Sequence, residues 1–231
     1  MDYRGKYFSV VGDSISTLNG YIPDGYALYY DKDNMARAGI ESKDDTWWGQ
    51  IILRLGGVLL KNNSWSGSTV SYHAEFTPGS FAYLDSRMSR LGDGDKKPDV
   101  VMIYMGVNDW ASGTPIEPKQ GRPEEESFTG SYKIMLERIK EHYPDAEIWC
   151  IAPAVSTLRD DPNFDFPYYL GGIHLREYAE AIKKVAEEKG CIFVDANRNK
   201  ILVDALDGIH PDKNGMKTLA DEILDKRGIK A

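Results

Sequence analysis

Two short segments near opposite ends of the chain carry residue types that together could cleave an acyl bond. Gly12-Asp13-Ser14-Ile15-Ser16 follows an apolar run and places a serine hydroxyl where the backbone turns sharply. Alone, Gly-Asp-Ser is a weak signal, because it also occurs in ordinary turns. Asp207-Gly208-Ile209-His210-Pro211 has a three-residue step that brings a carboxylate and an imidazole to one side of a single turn. A carboxylate so placed holds the ring's Nδ1–H and leaves Nε2 to accept a proton from a serine hydroxyl, the requirement for an alcohol nucleophile at neutral pH. The candidate catalytic set is Ser14 as nucleophile, His210 as base and Asp207 as the acid that orients the base.

Acyl transfer also needs donors aimed at a developing oxyanion. A glycine N–H and an asparagine amide suit that task, and two further segments offer them: Asn62-Asn63-Ser64-Trp65-Ser66-Gly67 and Gly106-Val107-Asn108-Asp109. Asp13 and Asp109 stand beside these positions and are expected to brace loops by accepting from nearby N–H groups. The ring-rich stretch Tyr21, Tyr26, Tyr29, Tyr30 could stack on sugar faces beside an ester or could pack its own loop against the sheet. Tyr26, Tyr29 and Tyr30, with His73 after the Gly67 segment, are the candidate substrate contacts. His73, His142 and His174 are isolated, with no second His or Cys two to four residues on, so the spacing offers no metal site.

These groups need a scaffold that gathers them. Short β-branched or apolar runs alternate with segments of helical period, the pattern of βαβ units around a parallel sheet. Strands are expected at Tyr7 to Val11, Val58 to Lys61, Val100 to Met105, Ile148 to Ala152 and Ile192 to Val194. Helices are expected where apolar residues recur at three- and four-residue steps: Trp47 to Leu55, Tyr132 to Ile139, Leu175 to Val185, Met216 to Ile223, and a shorter one around Leu84, Met88 and Leu91. Trp47 and Trp48 sit at core spacing. Asp45 or Thr46 and Asp212 are suitable N-caps, and Gly56, Gly190 and Gly228 stand where helices should end. Three long irregular stretches, Ile15 to Asp45, Ala111 to Glu126 and Val155 to Gly172, each follow the carboxyl end of an expected strand, the rim where open α/β sheets place ligands.

Taken together, the four segments resemble, in order and spacing, the four blocks of the SGNH (GDSL-like) hydrolase family, with Ser14, Gly67, Asn108 and His210 at its Ser, Gly, Asn and His. Asp207 falls three residues before the histidine, as the family's acid does. The resemblance spans residues 12 to 211. It implies a flavodoxin-like three-layer αβα sandwich with a five-stranded parallel sheet of order 2-1-3-4-5. It also implies that Ser14 attacks the acyl carbon while its own N–H, Gly67 N–H and the Asn108 amide hold the oxyanion. His210 would then protonate the leaving alcohol and activate the deacylating water. One departure is the long stretch before the Trp47 helix, where many members place a helix soon after the nucleophile.

Length and composition agree with one α/β domain over residues 1 to 231, with 42% hydrophobic and 28% charged residues. A net charge of −8 without a Lys/Arg cluster lacks the footprint of a nucleic-acid binder. No run approaches the roughly 18 apolar residues of a membrane span, and the first residues offer no secretory h-region, so a cytoplasmic location is expected of the chain as it stands. Cys150 and Cys191 are expected as buried free thiols in central strands. A metallophosphoesterase would want a ligand where Ile15 stands and a histidine where Asp109 follows Asn108. A nucleotide-binding flavodoxin-like protein would want a glycine-rich cradle after the first strand. The expected function is a serine esterase acting on a short-chain or carbohydrate O-acetyl ester, with no metal or organic cofactor. The alternatives are a lysophospholipase- or thioesterase-type hydrolase and a non-catalytic glycan-binding relative.

Overall fold

The structure, a computed structural model, describes residues 2–196 and 203–229; the outermost positions of the expected 1 to 231 domain and residues 197–202 lie outside the described residues. The sheet starts at β1 (Tyr7–Gly12) and adds β2 (Val58–Asn62), β3 (Val100–Tyr104) and β4 (Glu147–Ile151). Val, Ile and aromatic residues make up most of these runs because β-branched and aromatic side chains suit a pleated surface. β3 is buried at every position, as a strand covered on both faces must be.

Two short strands, β5 (Ser156–Leu158) and β7 (Val203–Ala205), pair with each other in parallel outside the main sheet, and β6 (Ile192–Val194) closes the main sheet beside β4. The five parallel strands therefore run β2-β1-β3-β4-β6. The spatial arrangement is the expected one, and the last number differs because β5, a three-residue strand, intervenes in sequence.

Strand order reverses at β1: the chain moves outward to β2, then returns to β3 and continues to β4 and β6. Right-handed crossovers in opposite directions put helices on opposite faces. α1 (Lys32–Ala38) and α2 (Trp47–Arg54) connect β1 to β2, and α3 (Asp85–Met88) precedes β3. α4 (Val107–Ala111) and α5 (Phe128–His142) lead to β4, α6 (Leu175–Glu188) leads to β6, and α7 (Lys213–Lys226) ends the fold. α2 packs against α7, while α5 packs against α6 and α3, which gives three layers.

The expected helix ends hold in detail. Thr46 accepts from Gly49 N–H at 3.0 Å and Asp212 from Gly215 N–H at 2.9 Å, each satisfying a first-turn donor. Asp45 instead serves a preceding 3₁₀ turn, paired reciprocally with Ser42. Trp47 and Trp48 are fully buried.

Two expected irregular stretches contain an α-helix or a strand, and the third, Ala111 to Glu126, ends in a 3₁₀ turn at Glu124–Glu126. α1 lies within Ile15 to Asp45, between Asp31, whose carboxylate accepts from Asp33 and Asn34 N–H, and the left-handed Gly39. β5 lies within Val155 to Gly172. Cys150 and Cys191 are both free; Cys150 is buried on β4, whereas Cys191 is half-buried just ahead of β6 rather than inside it. None of the described helices is long and apolar enough to cross a membrane.

Candidate active site

The reversal of strand order opens a crevice at the carboxyl ends of β1 and β3, the place where open α/β sheets bind ligands. Ser14 leaves β1 there on a single 3₁₀ turn, Ser14–Ser16. The turn is wound from within: Asp13 Oδ1 accepts from Ile15 N–H at 3.0 Å, and Thr17 Oγ1 donates to Ser14 O at 2.9 Å. Ser16 O accepts from the Trp48 indole at 3.0 Å and from Asn62 Nδ2 at 2.9 Å, which anchors the turn to α2 and β2. Gly12 is obligatory for packing, since a Cβ there would lie 2.3 Å from Ser16 Oγ. Ser14 itself is 5% exposed.

His210 arrives from the other end of the chain. β7 and the entry to α7 enclose a tight loop closed by Leu206 N–H to His210 O at 2.8 Å, with Asp212 N–H donating to Asp204 O at 3.0 Å. Gly208 adopts φ +82°, and its carbonyl accepts from Ser156 Oγ on β5, so the small extra sheet supports this loop. His210 Nε2 then lies 2.9 Å from Ser14 Oγ, and Nδ1 lies 2.8 Å from Asp207 Oδ2. Asp207 Oδ1 accepts from the N–H groups of Ile209, at 3.1 Å, and His210, at 2.9 Å. Partial burial pushes the Asp207 pKa up, but the bonds from His210 and Ile209 and the charge of His210 outweigh it and hold the carboxyl far below its usual range. Asp207 is thus a committed anion facing Nδ1, which makes Nε2 the acceptor for a hydroxyl proton.

The two further segments reach the same rim. Gly67 is exposed in the turn closed by Ser68 N–H to Trp65 O at 3.1 Å, with φ +76°, a conformation in which glycine is unstrained. Asn108 lies in the first turn of α4, and its Nδ2 donates to Ser68 O at 2.9 Å, tying the β3 end to the Gly67 turn. Asp109 accepts from Val70 and Ser71 N–H at 2.8 and 3.1 Å and secures the same loop.

The tyrosines take places the sequence did not separate. Tyr30 is fully buried and donates to Pro211 O at 2.6 Å, so it packs the loop and cannot present a face to a ligand. Tyr26 packs on Trp65 with ring centroids 4.1 Å apart. Tyr29 stacks on His210 itself and donates to Asp207 Oδ2 at 2.9 Å. His73 bonds Thr114 Oγ1 at 2.6 Å, which joins the Gly67 loop to the loop after α4.

One residue escaped sequence reasoning altogether. Arg87 is completely buried beneath the Gly67 segment and donates to Asn63 O and Ser68 Oγ, both at 2.6 Å, and to Ser80 O. Its guanidinium also faces the Tyr26 ring, and burial lowers its pKa to about 10. The available signal was a lone arginine in the apolar stripe of Leu84, Met88 and Leu91. Among the described residues, no group of three or more His, Cys, Asp or Glu is placed to hold a metal ion.

Several solved structures share this fold. One from Bacteroides ovatus, described as a GDSL-like lipase, superposes with a TM-score of 0.74 at 22% identity, covering 97% of this chain and 98% of that one. A carbohydrate acetylesterase from Sinorhizobium meliloti gives 0.63 at 20% identity, with 96% and 98% covered. An aryl esterase from M. smegmatis gives 0.62 at 17% identity, with 98% and 100% covered. No curated protein matches the chain significantly in sequence. The family model for GDSL-like lipases and acylhydrolases matches residues 6–163, more than half of the chain, and the protein belongs to that family.

Proposed function

We propose that the protein is a serine esterase that hydrolyses a short-chain or carbohydrate O-acetyl ester through an acyl-enzyme. The observation that carries this reading is the unbroken run Ser14 Oγ, His210 Nε2, His210 Nδ1, Asp207 Oδ2, with steps of 2.9 and 2.8 Å. Ser14 Oγ attacks the acyl carbon as its proton passes to Nε2, forming the C–O bond while the carbonyl π pair moves to oxygen. Ser14 N–H, Gly67 N–H and the Asn108 amide hydrogen not given to Ser68 receive that oxyanion. His210 returns the proton to the leaving alkoxide as the ester bond breaks, then deprotonates a water that attacks the acyl-enzyme and regenerates Ser14.

A small acyl group is favoured by the crowding of the base: Tyr29 covers one face of His210, and Tyr26 and Trp65 stack beside the Gly67 turn. The similarly folded structures include a carbohydrate acetylesterase, which supports the acetyl-ester reading, and an aryl esterase, which supports ester cleavage in general. The test is turnover of 4-nitrophenyl acetate, butyrate and decanoate by the protein and its Ser14→Ala form, with labelling by a fluorophosphonate. Acetate should be preferred, and both turnover and labelling should vanish in Ser14→Ala. Higher kcat/KM on decanoate or on a thioester would replace the short-chain reading with a lipid or thioester hydrolase. Absence of both activity and labelling in the unaltered protein would favour a glycan-binding role.

A further inference from the structure

An imidazole is held poorly by one carboxylate alone, because rotation about the bond to its ring is soft and an off-plane tilt carries Nε2 away from its partner. In this protein a second group acts on the ring. Tyr29 lies parallel to His210, with ring centroids 3.5 Å apart and planes 10° from parallel. That spacing is van der Waals contact and leaves no room for a ligand between the rings. The Tyr29 hydroxyl donates at 2.9 Å to Asp207 Oδ2, the same oxygen that faces His210 Nδ1 at 2.8 Å.

The backbone around Tyr29 is tied to both halves of the site. Its N–H donates to Thr17 Oγ1 at 3.0 Å, and the Thr17 hydroxyl donates to Ser14 O at 2.9 Å. Its carbonyl accepts from Asn34 Nδ2 at 2.8 Å, in the first turns of α1. The adjacent Tyr30 holds Pro211 O, next to His210. A continuous set of contacts therefore runs from the nucleophile turn through Thr17 and Tyr29 to the histidine loop. Burial and the neighbouring Asp207 both raise the Tyr29 pKa, so its hydroxyl remains a donor.

We propose that Tyr29 is a positioning residue for His210 and Asp207, its ring fixing the imidazole plane and its hydroxyl sharing Asp207 Oδ2 with Nδ1. This rests on the esterase reading above. It gives the long segment between β1 and α2 a task inside the catalytic cycle, where its rings would otherwise count as sugar contacts or packing. The hydroxyl draws off part of the Asp207 charge, which moderates how strongly the carboxylate favours imidazolium. Among the described residues, the side chains in contact with the His210 ring are those of Asp207, Tyr29 and Ser14. Arg37 acts on Tyr29, and Asp13, Asp207 and Asp212 act on Tyr30 behind it.

The test compares the unaltered protein with Ser14→Ala, Tyr29→Phe and Tyr29→Leu on 4-nitrophenyl acetate across pH, alongside thermal melts. Tyr29→Phe keeps the stack and loses the hydroxyl. It should lower kcat by about threefold to tenfold with KM unchanged, and it should move the acid limb of kcat/KM to higher pH. Tyr29→Leu loses both contacts and should lower kcat by something on the order of 10², with Phe restoring most of that loss.

An unmoved acid limb with kcat within about twofold in both variants overturns the proposal. So does an effect confined to KM, which would make Tyr29 a substrate contact. If Tyr29→Leu fails to fold, the acid limb of Tyr29→Phe decides alone. Absence of Ser14-dependent turnover in the unaltered protein sinks the esterase reading and this proposal with it, whereas an active protein indifferent to Tyr29 sinks only this one.

Discussion

The two turns that meet at the candidate site are held by opposite means. The Ser14 turn is part of the core: Gly12, Asp13, Ser14, Ile15 and Ser16 are all buried, and the turn is anchored to β2, α2 and Thr17. The histidine loop lies at the rim, with side-chain exposure of 17% for His210 and 44% for Asp207, and its partners are the Tyr29 segment and the short β5 strand outside the main sheet. The contrast teaches that the sheet fixes the Ser14 hydroxyl, while connections at the rim fix the imidazole that meets it; on the esterase reading these are the points of attack and of proton transfer. Changes in the first region should cost stability together with activity; changes in the second should cost activity alone.

The largest effect expected from this contrast is at the rim. His210→Ala should lower kcat by something on the order of 10⁴ to 10⁶, while Tm moves by less than about 3 °C because no packed core group is lost. Paired kinetics and calorimetry check it, and a collapse of Tm would erase the distinction between the two regions.

Arg87 tests the interior side. Arg87→Met leaves Asn63 O and Ser68 Oγ without the guanidinium donor, leaves Ser80 O with only the Ser68 hydroxyl, and removes the buried positive charge acting on Asp13. A loss of about 2–5 kcal/mol is expected from the buried acceptors left unsatisfied, seen as a lower denaturation midpoint, with any remaining activity falling alongside it. A variant of full stability and reduced kcat would move Arg87 to the other category.

The smallest and most diagnostic effect concerns Asp13. Burial, aided by the charge of Asp109, raises its pKa from 3.8 to about 7. Between those values the unfolded chain has released the proton and the folded chain still holds it, so Asp13 lowers stability progressively as pH rises through that window. Asp13→Asn removes this slope: melts at pH 5 and pH 8 should show the variant gaining on the unaltered protein at the higher pH. Parallel behaviour at both pH values would mean that Asp13 is ionised throughout.

What could be read from the sequence divides along the same line. β1, β3 and β4 announce themselves because buried parallel strands must be nearly continuous apolar runs, and Asp207 with His210 are legible because their relation is local. α1 carries no apolar stripe, and only its ends, Asp31 and Gly39, betray it. β5 and β7 are three residues each, too short for a period to register. The placement of Tyr29 depends on a hydroxyl meeting a carboxylate 178 positions away. No pattern in its own neighbourhood encodes that meeting, and stacking on sugar and stacking on imidazole call for the same residue. Arg87 is hidden for a related reason: its partners are backbone carbonyls and hydroxyls, which leave no complementary charge in the sequence.

Ser14 and His210 are separated by 196 positions yet sit 2.9 Å apart. During synthesis Ser14 emerges ahead of β2, β3 and β4, whereas His210 emerges only after β7 has been made. A nascent or prematurely terminated polypeptide therefore carries a serine with no partner to activate it. On the esterase reading, ester cleavage would begin only once His210 has been made and has folded against Ser14, so the order of these two residues keeps copies that stop before His210 chemically silent.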